Sequence, residues 1–173
     1  MTRNRWEGNS DAICEAERFY NFVGTYVISF QWLEGQIDEM LILARGYANR
    51  RNTIAWLAKK RNEQKVDAFY EIITANKSLC LVQGSDWRDR FKSIRDRLHN
   101  ERRRRNGILH SQFLFDFLAI GEPVMRTHVT QRAGNLAFDR EDLSPKRCED
   151  ILRELAQLAF DLSMIYAKLR QLD

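Results

Sequence analysis

The stretch from Glu101 to Phe113, ERRRRNGILHSQF, gathers the residue types that could handle a phosphodiester. The forked donors of Arg105 can clamp phosphate oxygens and stabilise negative charge as it develops. The imidazole of His110 belongs to the class that titrates near neutral pH and exchanges protons in a transition state, so it is a candidate general acid or base. Asn106 could position the backbone or hydrogen-bond a substrate. Arg102, Arg103 and Arg104 are candidate contacts to a nucleic-acid backbone, where they would add affinity rather than sequence readout.

Spacing decides whether these groups can cooperate. On one unbroken helix, Arg105 and His110 would stand about 140° apart around the axis. Asn106-Gly107 offers a remedy, because both residue types tolerate the left-handed conformations that end a helix. The expectation is therefore a break there, with a new helix from Ile108 to about Phe115. His110 would sit in its first turn, where free amides and the dipole favour an anion. The same residues also fit a plainer account, in which the dipole favours arginines at a helix end, Gly107 is a routine stop and the histidine simply packs.

The surrounding elements read as helical. Apolar residues from Val23 to Ala44 recur at three- and four-residue steps, predicting a helix from Asp11 to Arg45, capped by Ser10. Its length would be about 52 Å, so a bend at Gly24 or Gly35, or projection into a partner subunit, is expected. A short helical turn over 53–60, a helix near 63–75 and one from Trp87 to about Arg104 follow, with QGSD at 83–86 as stop and cap. Residues 115–138 change character, with aromatic and β-branched residues broken by GEP and AGN, and predict a small hairpin. Ser144-Pro145 opens a last amphipathic helix with proline at its first position.

The 173 residues suit a single domain spanning 1–173, and 44% hydrophobic residues with two prolines and eight glycines argue for an all-α fold. The net charge of +4 is unevenly placed: residues 86–105 hold nine basic and four acidic residues, leaving 19 basic against 20 acidic elsewhere. Such a concentrated field suits a polyanion. No apolar run approaches the roughly 18 residues of a membrane span, and MTRNRWEGNSD lacks the apolar stretch of a secretory signal, so a cytoplasmic protein without membrane contact is expected. Cys14, Cys80 and Cys148 are far apart and read as buried thiols rather than a disulfide or zinc set. No cofactor is indicated, and no clear metal constellation stands out.

Other residues carry blander readings. His99 follows Arg95 by four and reads as half of a polar surface pair. His128, without an obvious carboxylate partner, reads as surface or interface. Glu34 and Asp38 could orient an arginine, though a solvated helix face explains them as well. Phe113, Phe115 and Phe117 read as packing residues rather than a stacking platform, and Trp32 and Trp56 as buried anchors.

Arg105-Asn106-Gly107-Ile108-Leu109-His110 matches the R-N-x-x-x-H form of the R-x4-6-H signature, and the chain resembles HEPN domains over most of its length. The shared features are a long first helix, a helix running into the arginine, RNGILHS at a helix junction and a closing amphipathic helix. Arg103 and Arg104 also satisfy the spacing to His110, and Asn106 selects Arg105 as the register. The resemblance implies a HEPN-like helical bundle, a homodimer, and metal-independent endoribonuclease activity in which 2′-hydroxyl attack makes RNA the substrate. It further implies a composite site of Arg105, Asn106 and His110 at the dimer interface. A toxin or antiphage role with a cognate antitoxin or regulatory protein is also in keeping with it. The hairpin insert departs from a minimal bundle. The alternatives are a non-catalytic helical module that binds nucleic acid or an acidic protein, and a purely structural helical dimer.

Overall fold

The computed structural model describes the backbone of residues 8–75, 87–132 and 135–171, and the side chains of all of these except 87 and 130–138. The first helix, α1 (Ser10–Ala44), is unbroken through Gly24 and Gly35. Its cap is Asn9 rather than Ser10: the Asn9 Oδ1 accepts from the amides of Asp11 at 3.0 Å and Ala12 at 3.4 Å, the role of an N-cap side chain. Ser10 is already the first helical residue.

After a 3-10 turn over Tyr47–Asn49 come α2 (Arg50–Leu57) and α3 (Asn62–Ala75). The helix α4 (Trp87–His110) runs into the strand β1 (Gln112–Leu114). A second 3-10 turn, Asp116–Ile120, ends at Gly121, whose φ of 78° is the left-handed conformation glycine takes without strain. The strands β2 (Val124–Arg132) and β3 (Asn135–Leu143) follow, then α5 (Pro145–Arg170). Ser144 caps α5 through its hydroxyl, which accepts from the Arg147 amide at 3.3 Å, and proline stands at the first helical position as expected.

The fold is mainly α with a small antiparallel sheet of order β1-β2-β3. The sheet takes in more chain than the expected hairpin over 115–138: it begins at Gln112 and ends at Leu143. Residues 112–114 are strand where helix was expected, because Phe113 pairs opposite Arg126 and turns its ring toward α1. The QGSD segment, Cys80 and the Ala133-Gly134 part of the AGN turn lie outside the described residues.

Two compact units divide the chain, Met1–Ile28 with Arg104–Glu154 and Ser29–Arg103 with Leu155–Asp173. In the first, Ala12, Ala16, Phe19, Phe22 and Tyr26 of α1 are buried together with Ile108, Leu118, Val124, Leu143 and Ile151. Phe19 meets Phe113 in a tilted contact at 5.0 Å and Phe115 edge-to-face at 5.6 Å between ring centroids, so these two phenylalanines serve packing, as the density of the run suggested.

In the second unit, Phe30, Leu33, Ile37, Met40 and Leu41 of α1 are buried alongside Phe69, Ile73, Phe91, Leu98, Leu158 and Leu162. Glu34 and Asp38 are neither solvated decoration nor arginine guides. Glu34 accepts from Asn62 at 2.8 Å and Asp38 pairs with Lys65 at 2.7 Å, tying α1 to α3. His99 pairs with Asp67 of α3 at 2.9 Å rather than with Arg95, which instead bonds Asp96 and covers the Tyr70 ring at 4.4 Å. Trp32 is 54% exposed, so it is no buried anchor, while Trp56 is half-buried between Arg45 and Lys60.

The cysteines separate by environment. Cys14 is exposed on α1, against expectation, whereas Cys148 is buried and donates to the Leu143 carbonyl at 3.7 Å. Burial, reinforced by the charge of Glu141, pushes the Cys148 thiol up to about 11. Only about one molecule in a thousand then carries a Cys148 thiolate at pH 8. Iodoacetamide at pH 8 should label Cys14 of the folded protein quickly and Cys148 at least tenfold more slowly, read by peptide mass mapping. Equal rates would contradict the burial.

Candidate active site

The helix α4 does not break at Asn106-Gly107. It continues to His110, so the kink expected from the sequence is absent and Arg105 and His110 project from one helix. What ends α4 is Ser111, whose hydroxyl donates to the Gly107 carbonyl, followed by the turn into β1. His110 is therefore the last residue of a helix, not in the first turn of the next. The end of a helix presents carbonyls and favours cations, so attraction for a phosphate here has to come from side chains.

Gly107 does something other than stop the helix. A Cβ placed on it would come within 2.5 Å of Nη1 of Arg126, so the missing side chain leaves a slot for a guanidinium from β2. Arg126 is held there by two carboxylates of β3, Asp139 at 3.1 Å and Glu141 at 3.0 Å. Glu141 stands directly opposite Arg126 in the register and Asp139 two residues along, the positions from which cross-strand pairs form. Glu141 also pairs with Arg147 of α5 at 3.0 Å. The resulting chain of charges fastens the sheet to the start of α5 and packs the Arg126 guanidinium against Gly107 near the end of α4, all within the first unit.

Within that unit the unbroken helix spaces the motif in a definite way. Asn106 lies about 40° from His110 around the axis and Gly107 about 60° on its other side, while the Arg105 Cα lies about 140° away. The Arg105 side chain offsets part of that gap. Its Nη1 donates to Asn106 Oδ1 at 3.1 Å, which draws the guanidinium around the helix toward the face that carries His110. His110 is exposed and Arg105 and Asn106 are partly so. Accessible imidazole thus borders a slot holding Arg126 on one flank, and an amide that hooks Arg105 on the other.

Arg126 is the residue that the sequence did not single out. The alternation along β2 could have assigned it a face, but only the register shows that this face meets Gly107. Two carboxylates commit its charge, and its side chain is 13% exposed, which makes it a support for the helix end.

The other arginines are engaged separately. Arg104 pairs with Glu154 at 2.6 Å. In the second unit, Arg102 lies 3.4 Å from Glu63 and Arg103 donates to Asn100. His128 stands opposite Asp139 in the sheet register, a carboxylate neighbour the sequence did not suggest.

A cleft of about 390 Å³ in the first unit, floored by Phe19, Phe22, Leu118 and Val124, does not include Arg105, Asn106 or His110 in its lining. Among the described residues, no group of three or more His, Cys, Asp or Glu side chains is placed to hold a metal ion, and no helix is long and apolar enough to cross a membrane. No protein-family model matches the chain, and neither a curated protein nor a solved structure is significantly similar to it.

Proposed function

We propose that the protein is a HEPN-like endoribonuclease that cleaves RNA by attack of the 2′-hydroxyl on the adjacent phosphorus. The observation that carries this reading is the Arg105–Asn106 hydrogen bond, which turns the guanidinium of Arg105 toward the helix face from which the exposed His110 projects. In the proposed step the 2′-oxygen bonds to phosphorus and the bond to the 5′-oxygen breaks. The products are a 2′,3′-cyclic phosphate and a 5′-hydroxyl. His110 either takes the 2′-hydroxyl proton or protonates the departing oxygen. Arg105 stabilises the charge on the phosphoryl oxygens, and Asn106 positions Arg105. One imidazole per chain leaves one of the two proton transfers to a second group, and a second copy of the chain supplies it in a composite homodimer site.

The surface of α1 offers a place for such pairing. Tyr20 and Ile28 are 55% and 68% exposed, Ile13 lies on the same side, and Gly24 between them leaves open space where a side chain would stand. An apolar stripe around a glycine suits close approach of a second helix. Ile28→Glu is expected to convert a dimer to a monomer in light scattering and to lower cleavage at the same time. Unchanged mass would remove α1 as the interface.

The activity itself is tested with RNA in the presence of a chelator, next to the same oligonucleotide carrying a single 2′-deoxy position at the cut site. Cleavage only of the all-ribose strand, leaving a cyclic phosphate end, is the expected result. Cleavage of both strands would eliminate internal attack. Salt-sensitive binding without any cleavage would favour a non-catalytic nucleic-acid-binding module, the reading to which the regular α4 helix also lends itself.

A further inference from the structure

We infer that residues 45–61, in the second unit, form a docking surface for single-stranded nucleic acid. This segment holds Arg45, Arg50, Arg51, Lys59, Lys60 and Arg61 and no acidic residue, a local charge of +6. The stretch 86–105 has more basic residues, but the fold neutralises much of their charge: Arg95 pairs with Asp96, Arg97 with Asp161, Arg102 with Glu63 and Arg104 with Glu154. Among the described residues no carboxylate pairs with any of the six cations of 45–61. Five of them are exposed, and Lys60 is half-buried. A field left unneutralised by the fold is available to a polyanion.

Aromatic rings gather these cations into one surface. Arg45 lies 4.6 Å and Lys60 5.4 Å from the ring centroid of Trp56, which joins the end of α1 to the residues that follow α2. Gly46, at a φ of 86°, turns the chain out of α1 and leaves Tyr47 61% exposed, with Arg50 5.6 Å from its ring centroid. Exposed rings among unpaired cations are the combination by which proteins hold single strands without reading sequence: cations follow the phosphates and rings receive the bases. A duplex keeps its bases stacked inside and would leave Tyr47 unused. A membrane surface would be drawn by the charge but held by inserted apolar side chains. Here α2 turns Thr53 and Leu57 inward and Trp56 carries its two cations, so that Tyr47 and Ile54 are the large apolar residues left exposed on this segment.

This surface does not depend on the ribonuclease reading, and the test is chosen to keep the two apart. The full chain is titrated into a fluorescein-labelled 12-mer of deoxythymidylate, which lacks the 2′-hydroxyl and cannot be cut by internal attack. Binding is followed by anisotropy across a salt series. Arg51→Ala with Lys59→Ala is expected to weaken binding at least tenfold at about 0.1 M salt and to lower the slope of log K against log salt by about 1.4, or about 0.7 for each phosphate that is no longer neutralised.

Tyr47→Ala is expected to weaken binding at least about fivefold while leaving that slope unchanged, and Tyr47→Phe, which keeps the ring, should bind like the wild type. Arg140→Ala with Lys146→Ala, both exposed and in the first unit, makes the same change in net charge as the Arg51/Lys59 variant and should weaken binding far less. Circular dichroism checks that each variant folds. No binding by the wild type, wild-type binding by the Arg51/Lys59 variant, or an equal loss in the Arg140/Lys146 control would overturn the surface. Indifference to Tyr47→Ala would overturn it as well; full competition by oligoglutamate would then assign the cations to an acidic protein, and pelleting with phosphatidylserine vesicles would assign them to a membrane.

Discussion

His110→Ala is expected to lower the rate of RNA cleavage by about 10²- to 10⁴-fold, the range that positioned proton transfer contributes. Loss of folding would not be the cause. His110 is exposed and is the final residue of α4, a place where truncation removes no buried packing. Arg105→Lys should also be strongly impaired, because an ammonium keeps the charge but loses the planar fork that holds both a phosphate oxygen and Asn106.

Asn106→Ala separates positioning from chemistry. It removes only the group that turns Arg105, so its loss should be smaller than that of either reacting residue and should fall chiefly on kcat, with substrate affinity largely kept. Asn106→Ser should recover part of the lost rate, since a hydroxyl can also accept from the guanidinium. Wild-type rates in both His110→Ala and Arg105→Lys, measured in chelator, would remove the catalytic roles proposed for the two residues.

Much of the fold was legible because helical periodicity is a local property. The Pro145 start of α5 was placed correctly and the ends of α1 to within a residue, since a proline at a first turn and a long apolar repeat each act through their immediate neighbours. Where the reading failed, a distant partner had decided the outcome. Asn106-Gly107 looks like a helix stop because Asn and Gly so often end helices, yet Gly107 is there to admit Arg126, nineteen residues later in the chain. Gln112–Leu114 would pass as the end of a helix until β2 pairs with it. Asn9 displaced Ser10 as the cap because either residue type can serve, and local sequence does not choose between adjacent candidates. At the candidate site the disposition was not legible: α4 runs on where a kink was expected, and Arg105 donates to its neighbour Asn106.

The slot at Gly107 makes a prediction in which the same substitution changes sign with its background. In the interior of a helix alanine is favoured over glycine by about 0.5–1 kcal/mol, because glycine loses more backbone freedom on folding. In the wild type the new methyl would press on Arg126 Nη1 from 2.5 Å, and moving the guanidinium away strains the bonds that its Nη2 makes to Asp139 and Glu141. Hydrogen bonds to charged groups contribute about 1.5–3 kcal/mol each, so even partial loss outweighs the helical gain.

Gly107→Ala should therefore destabilise the wild type by about 1 kcal/mol. Arg126→Ala should cost about 2 kcal/mol: Asp139, already 63% exposed, returns to water, and Glu141 keeps Arg147. With Arg126 gone the slot is empty, and Gly107→Ala should then stabilise by about 0.5–1 kcal/mol. Urea denaturation of the four proteins in the cycle measures the coupling, expected at about 1.5–2 kcal/mol. Simple additivity would mean that Arg126 does not occupy the space beside Gly107, and the sheet would lose its proposed hold on the end of the motif helix.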